Sequence, residues 1–357
     1  MCSLKIEDLT FYVNGDAILK NIHLEVPEAC VLAILGPGGC GKSTLLKIIA
    51  GEEKVRRGKL YFGNKDVTGQ SPQRRRAFLA DEWDIPTGWR VYKAVEVVAR
   101  QWGVPRKDRH ERVLRALKAV GLEAFAEHPV GRLSTSERNR LYLASGVAVH
   151  PHCLLVDDQL ASLEPRLRLK IGRDIAEYCR TERICLVWAT TQVAEAFALA
   201  TDLVLMKEGR IEAHDTPRRL WQYPTSTFVA QFLSDANILR GTLRQSAAGM
   251  ALVDTDLGEI SGTLTAESDA YVEGTEVEVA IRPESLHIEQ MPADENCFHG
   301  TIVNATDEGL IGRYRVATGE HLLLVYEQNP RFLQSGEEDL YFWAAPDDVA
   351  ILPVKVD

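Results

Sequence analysis

The residues best suited to chemistry form one glycine-rich stretch that fits the pattern GxxxxGK[ST]. It comprises Gly36, Pro37, Gly38, Gly39, Cys40, Gly41, Lys42, Ser43 and Thr44. Glycines let backbone N–H groups curl around an oxyanion, and the N-terminus of a following helix adds partial positive charge. The Lys42 ammonium would reach the β- and γ-phosphates of a nucleotide, and the Ser43 hydroxyl would ligate Mg²⁺. The alternative is a purely structural turn, which Lys42 and Ser43 at this spacing disfavour.

A second group suited to this chemistry is Asp157, which lies 115 residues after Lys42 at the end of the apolar run CLLVD. A strand ending here would place the carboxylate beside the phosphate loop, where it could hold Mg²⁺ through water. Taken alone the pattern is weak, because many buried strands end in Asp. Following a phosphate loop, it indicates a site for ATP or GTP. We also expect the Cys40 thiol, at the start of the helix, to be alkylated and to be protected by ATP.

The elements that must position these groups are strands alternating with helices. Apolar runs predict strands at 4–13, 18–26, 31–36, 153–157 and 184–188. Residues 42–51 have helical apolar spacing that Gly51 ends. Because strands and helices alternate, the sequence predicts a largely parallel sheet.

Two further segments predict amphipathic helices. The segment 109–122 would bury Val113, Leu114, Leu117 and Val120 and end at Gly121. The segment 218–239 would carry Phe228, Val229, Phe232 and Leu233 on one side.

The charge distribution indicates two domains. Residues 241–357 hold 6 Lys and Arg against 22 Asp and Glu, whereas the first 240 residues hold 35 against 29. The acidic part has short alternating apolar runs, which predict a small all-β barrel or sandwich. It would repel phosphates, so we expect no nucleic-acid partner. A well-solvated surface remains the plain alternative for this acidity.

The seven cysteines and the hydropathy bear on the compartment. Their odd number and the lack of a CxxC pair argue against a disulfide framework and favour the reducing cytosol. No run of 18 apolar residues occurs, and the first residues lack the pattern of a signal peptide.

Between the two phosphate-site motifs, Leu133-Ser134-Thr135-Ser136-Glu137 resembles the signature of the ATP-binding subunits of ABC transporters. The segment 161–164 stands at the position of the family's D-loop, and the resemblance extends over residues 4–235. It implies an α/β P-loop NTPase fold, an ABC-type nucleotide-binding domain with a helical subdomain, over residues 1–236. In this family ATP and Mg²⁺ bind between the phosphate loop of one chain and the signature of another. The signature residues Ser134, Thr135, Ser136 and Glu137 would then contact the partner's ATP.

The acidic segment 237–357 resembles the OB-like regulatory domain of maltose-importer-type subunits, best at residues 281–284 (IRPE) and 300–303 (GTIV). This resemblance implies an import-type subunit on the cytoplasmic face of the membrane. The implied partners are two membrane-spanning subunits docked near residues 80–105, a second ATP-binding subunit and, indirectly, a solute-binding protein. An aromatic residue that stacks on adenine is expected near Phe11 or Tyr12, although either could be strand core.

Four positions depart from the family. A γ-phosphate-sensing Gln is missing among Ala80, Asp81 and Glu82, and the signature's glycines and Gln are Thr135, Ser136 and Glu137. The family's catalytic Glu is replaced by the shorter Asp158, and its switch His by Thr191. Such changes affect hydrolysis more than binding, because general-base geometry tolerates only about a hydrogen bond's length.

These departures leave two functions open. In the first, the chain is the ATP-binding subunit of an importer, with Asp158 and Thr191 in the catalytic positions. In the alternative, it is a degenerate pseudo-ATPase that acts as a regulatory or structural half of a heterodimer. A homodimer would carry both kinds of defect twice, which favours a heterodimer with a better-preserved paralogue. The altered signature would nevertheless weaken that paralogue's site.

Overall fold

The structure is a computed structural model that describes residues 3–158, 160–267, 270–330, 334–336 and 340–354. The chain divides into two compact units, Met1–Pro217 and Arg218–Asp357.

Within its described residues the first unit contains ten strands, seven α-helices and two short 3-10 helices, Glu123–Phe125 and Val130–Arg132. The strands are β1 (Leu4–Val13), β2 (Asp16–Val26), β3 (Val31–Leu35), β4 (Arg57–Phe62), β5 (Lys65–Asp66), β6 (Ala77–Ala80), β7 (Cys153–Asp157), β8 (Cys185–Thr190), β9 (Asp202–Lys207) and β10 (Arg210–Asp215). The helices are α1 (Lys42–Ala50), α2 (Pro72–Arg75), α3 (Val91–Gln101), α4 (Arg106–Ala119), α5 (Thr135–Val149), α6 (Pro165–Thr181) and α7 (Val193–Leu199).

The central sheet has six strands in the order β10-β9-β3-β8-β7-β6, and all but β10 run parallel. Both faces are buried, so side chains along one strand alternate between two hydrophobic clusters. Leu154 and Val156 belong to one cluster, and Cys153 and Leu155 to the other. This explains why the strands have continuous apolar runs rather than alternating ones. The predicted parallel sheet and its strands are confirmed.

A second, antiparallel sheet has the order β2-β1-β4-β5. The two runs that open the chain form its longest strands, as predicted.

A group of three helices, α3, α4 and α5, packs together beside the central sheet. On α4 the residues Val113 and Leu117 are buried, whereas Leu114 is 36% exposed. The prediction that Leu114 is buried is therefore wrong, and Ala116 is buried on that face instead. A small residue there lets α4 lie close to its neighbours.

Besides short 3-10 helices, the second unit contains two α-helices and ten strands among its described residues. They are α8 (Pro217–Gln222), which begins at the boundary, α9 (Thr227–Ser234), β11 (Asn237–Ala247), β12 (Met250–Thr255), β13 (Gly258–Leu264), β14 (Glu276–Ile281), β15 (His287–Glu289), β16 (Cys297–Asp307), β17 (Ile311–Thr318), β18 (His321–Gln328), β19 (Leu340–Trp343) and β20 (Val349–Pro353). Five strands form a closed barrel in the order β11-β12-β13-β20-β14, and five form a sheet in the order β15-β19-β16-β17-β18. The predicted all-β, OB-like domain is confirmed.

The segment 218–239 forms two helices and the start of β11 instead of one long helix. Pro224 lies between α8 and α9, and the N-cap Ser226 begins α9. Val229 and Leu233 are buried as expected, whereas Phe228 and Phe232 pair with each other, with ring centroids 5.6 Å apart. By its packing α9 lies in the second unit, with Ala230 beside Ala280 and Leu352, whereas the sequence assigned this helix to the first domain. The domain boundary at 236/237 stays a prediction.

Candidate nucleotide site

The phosphate loop connects the C-terminal end of β3 to the N-terminus of α1, as the spacing predicted. Gly41 occupies the last position before the helix with φ of +104°, a conformation that side chains with a Cβ rarely adopt. A Cβ there would lie 2.8 Å from Leu19 Cδ2 and 3.3 Å from the carbonyl oxygen of Ile18. Both the backbone conformation and the packing therefore require glycine.

The start of α1 is well suited to an anion. The N-cap residue Gly41 has no side chain that could cap this helix, and the first turn has no acidic residue. Gly38 and Gly39 are exposed, and a Cβ on either would meet no atom of the described residues within 4 Å. The buried Lys42 donates from Nζ to the carbonyl oxygens of Gly36 at 2.7 Å and Pro37 at 2.9 Å. The loop thus combines open backbone, uncapped helix N–H groups and an ammonium, which is the chemistry that binds polyphosphate.

The Cys40 side chain is buried rather than presented to solvent. Its Sγ would lie 2.9 Å from a Cβ at Gly36, so the thiol packs underneath the loop. Alkylation of Cys40 therefore requires the loop to open first.

The residues available for Mg²⁺ are Ser43 and Asp157. Ser43 is exposed at the start of α1, and Asp157 ends β7 in register with Ala189 of the neighbouring strand. Among the described residues no group of three or more His, Cys, Asp or Glu could hold a metal ion alone. One hydroxyl and one carboxylate fit Mg²⁺, which keeps several waters and takes its other ligands from substrate phosphates.

Asp158 directly follows β7 and adopts the left-handed conformation, with φ of +52°. Its backbone N–H donates to the carbonyl oxygen of Ala189 at 3.1 Å. Burial raises the pKa of this carboxyl, as do the carboxylates of Glu195 and Asp157, while Arg168 and Lys42 act in the opposite direction. Asp158 therefore shares one electrostatic environment with the phosphate-loop lysine, which suits a group that acts near a triphosphate.

Thr191 follows the end of β8 and is exposed, whereas its neighbour Thr190 is fully buried. Thr190 Oγ1 donates to Glu195 Oε2 at 2.5 Å and accepts from the backbone N–H of Gln192 at 3.0 Å. Glu195 in turn forms an ion pair with Arg168, with 2.8 Å between Oε1 and Nε.

Sequence reasoning missed this pair of charged residues. The sequence held a signal for Glu195 alone and not for its partner, because this charged residue stands four positions before the apolar Leu199, and both are buried on α7. A charged residue at an apolar position of a helix is almost always paired.

The signature residues Ser134 to Glu137 form the N-terminus of α5. Ser134 Oγ accepts from the backbone N–H of Glu137 at 3.3 Å, and Glu137 Oε2 accepts from both Ser134 N and Ser134 Oγ at 2.8 Å. This is a capping box. These hydrogen bonds lower the pKa of the Glu137 carboxyl, and the one from the backbone N–H of Ser134 has a larger effect than the one from its hydroxyl. The start of α5 therefore already holds an anion of its own, unlike the start of α1.

Two other predicted positions lie at strand ends. Tyr12, near the end of β1, is 55% exposed, whereas Phe11 packs against the core, so Tyr12 is the residue free to stack on a base. The missing Gln falls where β6 ends at Ala80, followed by the exposed Asp81 and Glu82.

Comparison with family models identifies two domains. The ABC transporter model matches residues 19–161, and the TOBE domain model matches residues 279–352. The part of the chain that the structure describes contains no helix of the length and apolarity needed to cross a bilayer.

Among curated proteins, the spermidine/putrescine import ATP-binding protein PotA of Borreliella afzelii is 28% identical, covering 98% of each chain. The putative 2-aminoethylphosphonate import ATP-binding protein PhnT of Salmonella typhimurium is 29% identical, covering 98% of this chain and 95% of its own. The solved structure of cbiO1 from Clostridium perfringens, described as part of an ABC transporter complex, has a TM-score of 0.54 at 28% identity and covers 61% of this chain and 89% of that one. The solved structure of an ABC cassette in its ADP conformation has a TM-score of 0.58 at 20% identity and covers 65% of this chain and 98% of that one. At this identity the likeness supports the fold alone.

Proposed function

The chain is an ATP-binding subunit of the ABC transporter family with a C-terminal TOBE domain, and from this premise we propose that it binds Mg-ATP at residues 36–44 to drive an importer. The observation that carries the proposal is the uncapped start of α1, with Lys42 Nζ inside the loop. Import follows from the relatives, whose names specify import ATP-binding proteins. Those names give different solutes, so we propose import without naming the solute that is taken up.

Each site residue has a role in this proposal. The loop N–H groups and Lys42 would hold the phosphates, and Ser43 and Asp157 would hold Mg²⁺. When bound, this ion neutralises the negative charge that develops on the phosphates. Tyr12 would stack on the adenine. Asp158 would orient a water molecule and take up its proton, and Thr191 would donate a hydrogen bond to the γ-phosphate.

Binding would bring two ATP-binding subunits together. Ser134, Thr135, Ser136 and Glu137 would then face the partner's triphosphate, and hydrolysis or ADP release would reopen the pair. Closure would move two membrane-spanning subunits docked near residues 80–105, which places the chain on the cytoplasmic face of the membrane. A solute-binding protein would take part only indirectly.

We propose that turnover is slow, because the shorter Asp158 and the uncharged Thr191 weaken the chain's own site. A better-preserved paralogue is the proposed partner. The relatives' import names give no support to the alternative of a purely regulatory half.

The test is nucleotide binding and phosphate release by the purified full chain, with Lys42→Ala and Asp158→Asn. Lys47→Ala, a lysine on the same helix outside the loop, is the matched control. We expect binding that is lost with Lys42→Ala, is kept with Lys47→Ala, and is accompanied by slow turnover that vanishes with Asp158→Asn. Binding with no turnover above the Asp158→Asn background would favour the regulatory half. Equal binding by the Lys42→Ala variant would refute the nucleotide site itself.

A further inference from the structure

The buried ion pair between Arg168 and Glu195 lies beside the candidate site and has no role in the function proposed above. Arg168 comes from the first turns of α6 and Glu195 from α7, and their side chains are 14% and 3% exposed. Removing two charges from water costs free energy that their attraction only partly returns, so a buried pair is weak evidence for a stabilising role. The contacts around this pair indicate what it holds in place.

On one side the pair fixes the segment that carries Thr191. Glu195 Oε2 accepts the hydrogen bond from Thr190, and Thr190 Oγ1 accepts one from Gln192 N. Thr191 therefore lies between two residues whose positions depend on the Glu195 carboxylate.

On the other side the pair holds Ala161, which is hydrogen-bonded to Asp158. Arg168 Nη1 donates to the carbonyl oxygen of Ala161 at 3.4 Å. The N–H of Ala161 donates to the carbonyl oxygen of Asp158 at 3.0 Å, and Asp158 N is bonded to Ala189. Asp158 and the exposed Ala161 are thus connected to the end of β8 twice, once through backbone hydrogen bonds and once through the ion pair.

We propose that Arg168 and Glu195 are positioning residues that make Thr191, Asp158 and Ala161 move as one body. A γ-phosphate hydrogen-bonded to Thr191 would then also shift the exposed residues that precede α6. ADP lacks the γ-phosphate, so it would leave these residues where they are. This inference rests on the proposed function, because it assumes that Thr191 faces the γ-phosphate. It adds the residues by which this chain distinguishes ATP from ADP.

The test measures the affinities for ADP and a non-hydrolysable ATP analogue, both with Mg²⁺, together with the melting temperature. The variants are Arg168→Met, Glu195→Gln and the two combined. Each single change leaves a buried charge uncompensated, so we expect a lower melting temperature or failure to fold. The double variant is uncharged and keeps an acceptor for Thr190, so its melting temperature should recover to near the wild-type value.

The ratio of ATP-analogue affinity to ADP affinity decides the proposal. In the double variant we expect this ratio to fall by about fivefold or more, the lower range of coupling between sites, while the ADP affinity is unchanged. The exposed pair Arg180 and Glu177 on the same helix supplies the matched control, Arg180→Met with Glu177→Gln, which should keep the wild-type ratio.

A double variant with the wild-type ratio, or a wild-type chain that binds both nucleotides equally, would overturn the inference and leave the nucleotide site standing. Nucleotide binding that does not depend on Lys42 would overturn the proposed function, and the inference with it.

Discussion

Replacing Asp158 with Asn should make the first unit more stable while removing any turnover. The carboxyl is half-buried beside Asp157 and Glu195, and burial is the main reason for its raised pKa. A carboxyl with a raised pKa ionises at a cost in the folded state, so the charged form destabilises the fold at neutral pH. Asn removes this charge and tolerates the left-handed backbone at φ +52° as well as Asp does.

The size of the effect follows from the neighbouring charges. Two acidic neighbours disfavour the charge and two basic ones, Arg168 and Lys42, favour it, and the acidic pair has the larger effect. Burial of the charge acts in the same direction, and a single stabilising substitution commonly contributes about 1 kcal/mol. For a unit of this size that corresponds to a melting temperature about 2–4 °C higher.

The assay is thermal unfolding of Asp158→Asn against wild type without nucleotide, at pH 7.5 and at successively lower pH. The contribution of a group with a raised pKa is fully present below its unfolded pKa and is lost as pH rises through the folded value. The gap between variant and wild type should therefore be widest at neutral pH and narrow on acidification. The exposed Asp174→Asn on α6 is the control and should show no such gap. An unchanged or lower melting temperature for Asp158→Asn at pH 7.5 would refute the reasoning.

Three other changes test the remaining site and its support. Tyr12→Ala should weaken nucleotide affinity by about 1–3 kcal/mol if the exposed ring stacks on the base, as measured by equilibrium titration. Glu137→Gln keeps the capping box but removes its charge, so ATP-dependent association with a partner subunit should strengthen in light scattering, and weaker association would contradict this. Gly146→Ala would put a Cβ 2.6 Å from Leu154 Cδ1 and 2.9 Å from Phe78 Cδ1, and should cost about 1–3 kcal/mol in a denaturant titration.

The sequence was most informative where the chemistry depends on neighbouring residues. The phosphate loop with its flanking strand and helix is such a case, because glycine, lysine and serine at fixed spacing determine both the backbone and the ligand. The capping box could also have been found, since Ser134 and Glu137 have the required spacing. The resemblance to the ABC signature predicted instead that Glu137 is a negative charge facing the partner's triphosphate, and it gave no sign of the cap.

Features that depend on distant contacts could not be predicted. Leu114 has the right spacing for the buried face of α4, but the orientation of that face is set by how α3 and α5 pack against it. Arg168 and Glu195 are 27 positions apart on different helices, so their pairing depends on the fold that brings the helices together. The packing of α9 with Ala280 and Leu352 is likewise a tertiary property, which charge composition does not reveal.

The different starts of α1 and α5 have a consequence for folding. The first turn of α5 is completed by its own Glu137, so this helix can form whether or not any phosphate is near. The first turn of α1 has no such substitute, and a ligand that supplies the missing acceptors adds its binding free energy to the stability of the native state. Nucleotide should therefore protect the amides at the start of α1 from hydrogen exchange, while those at the start of α5 keep the protection they already have.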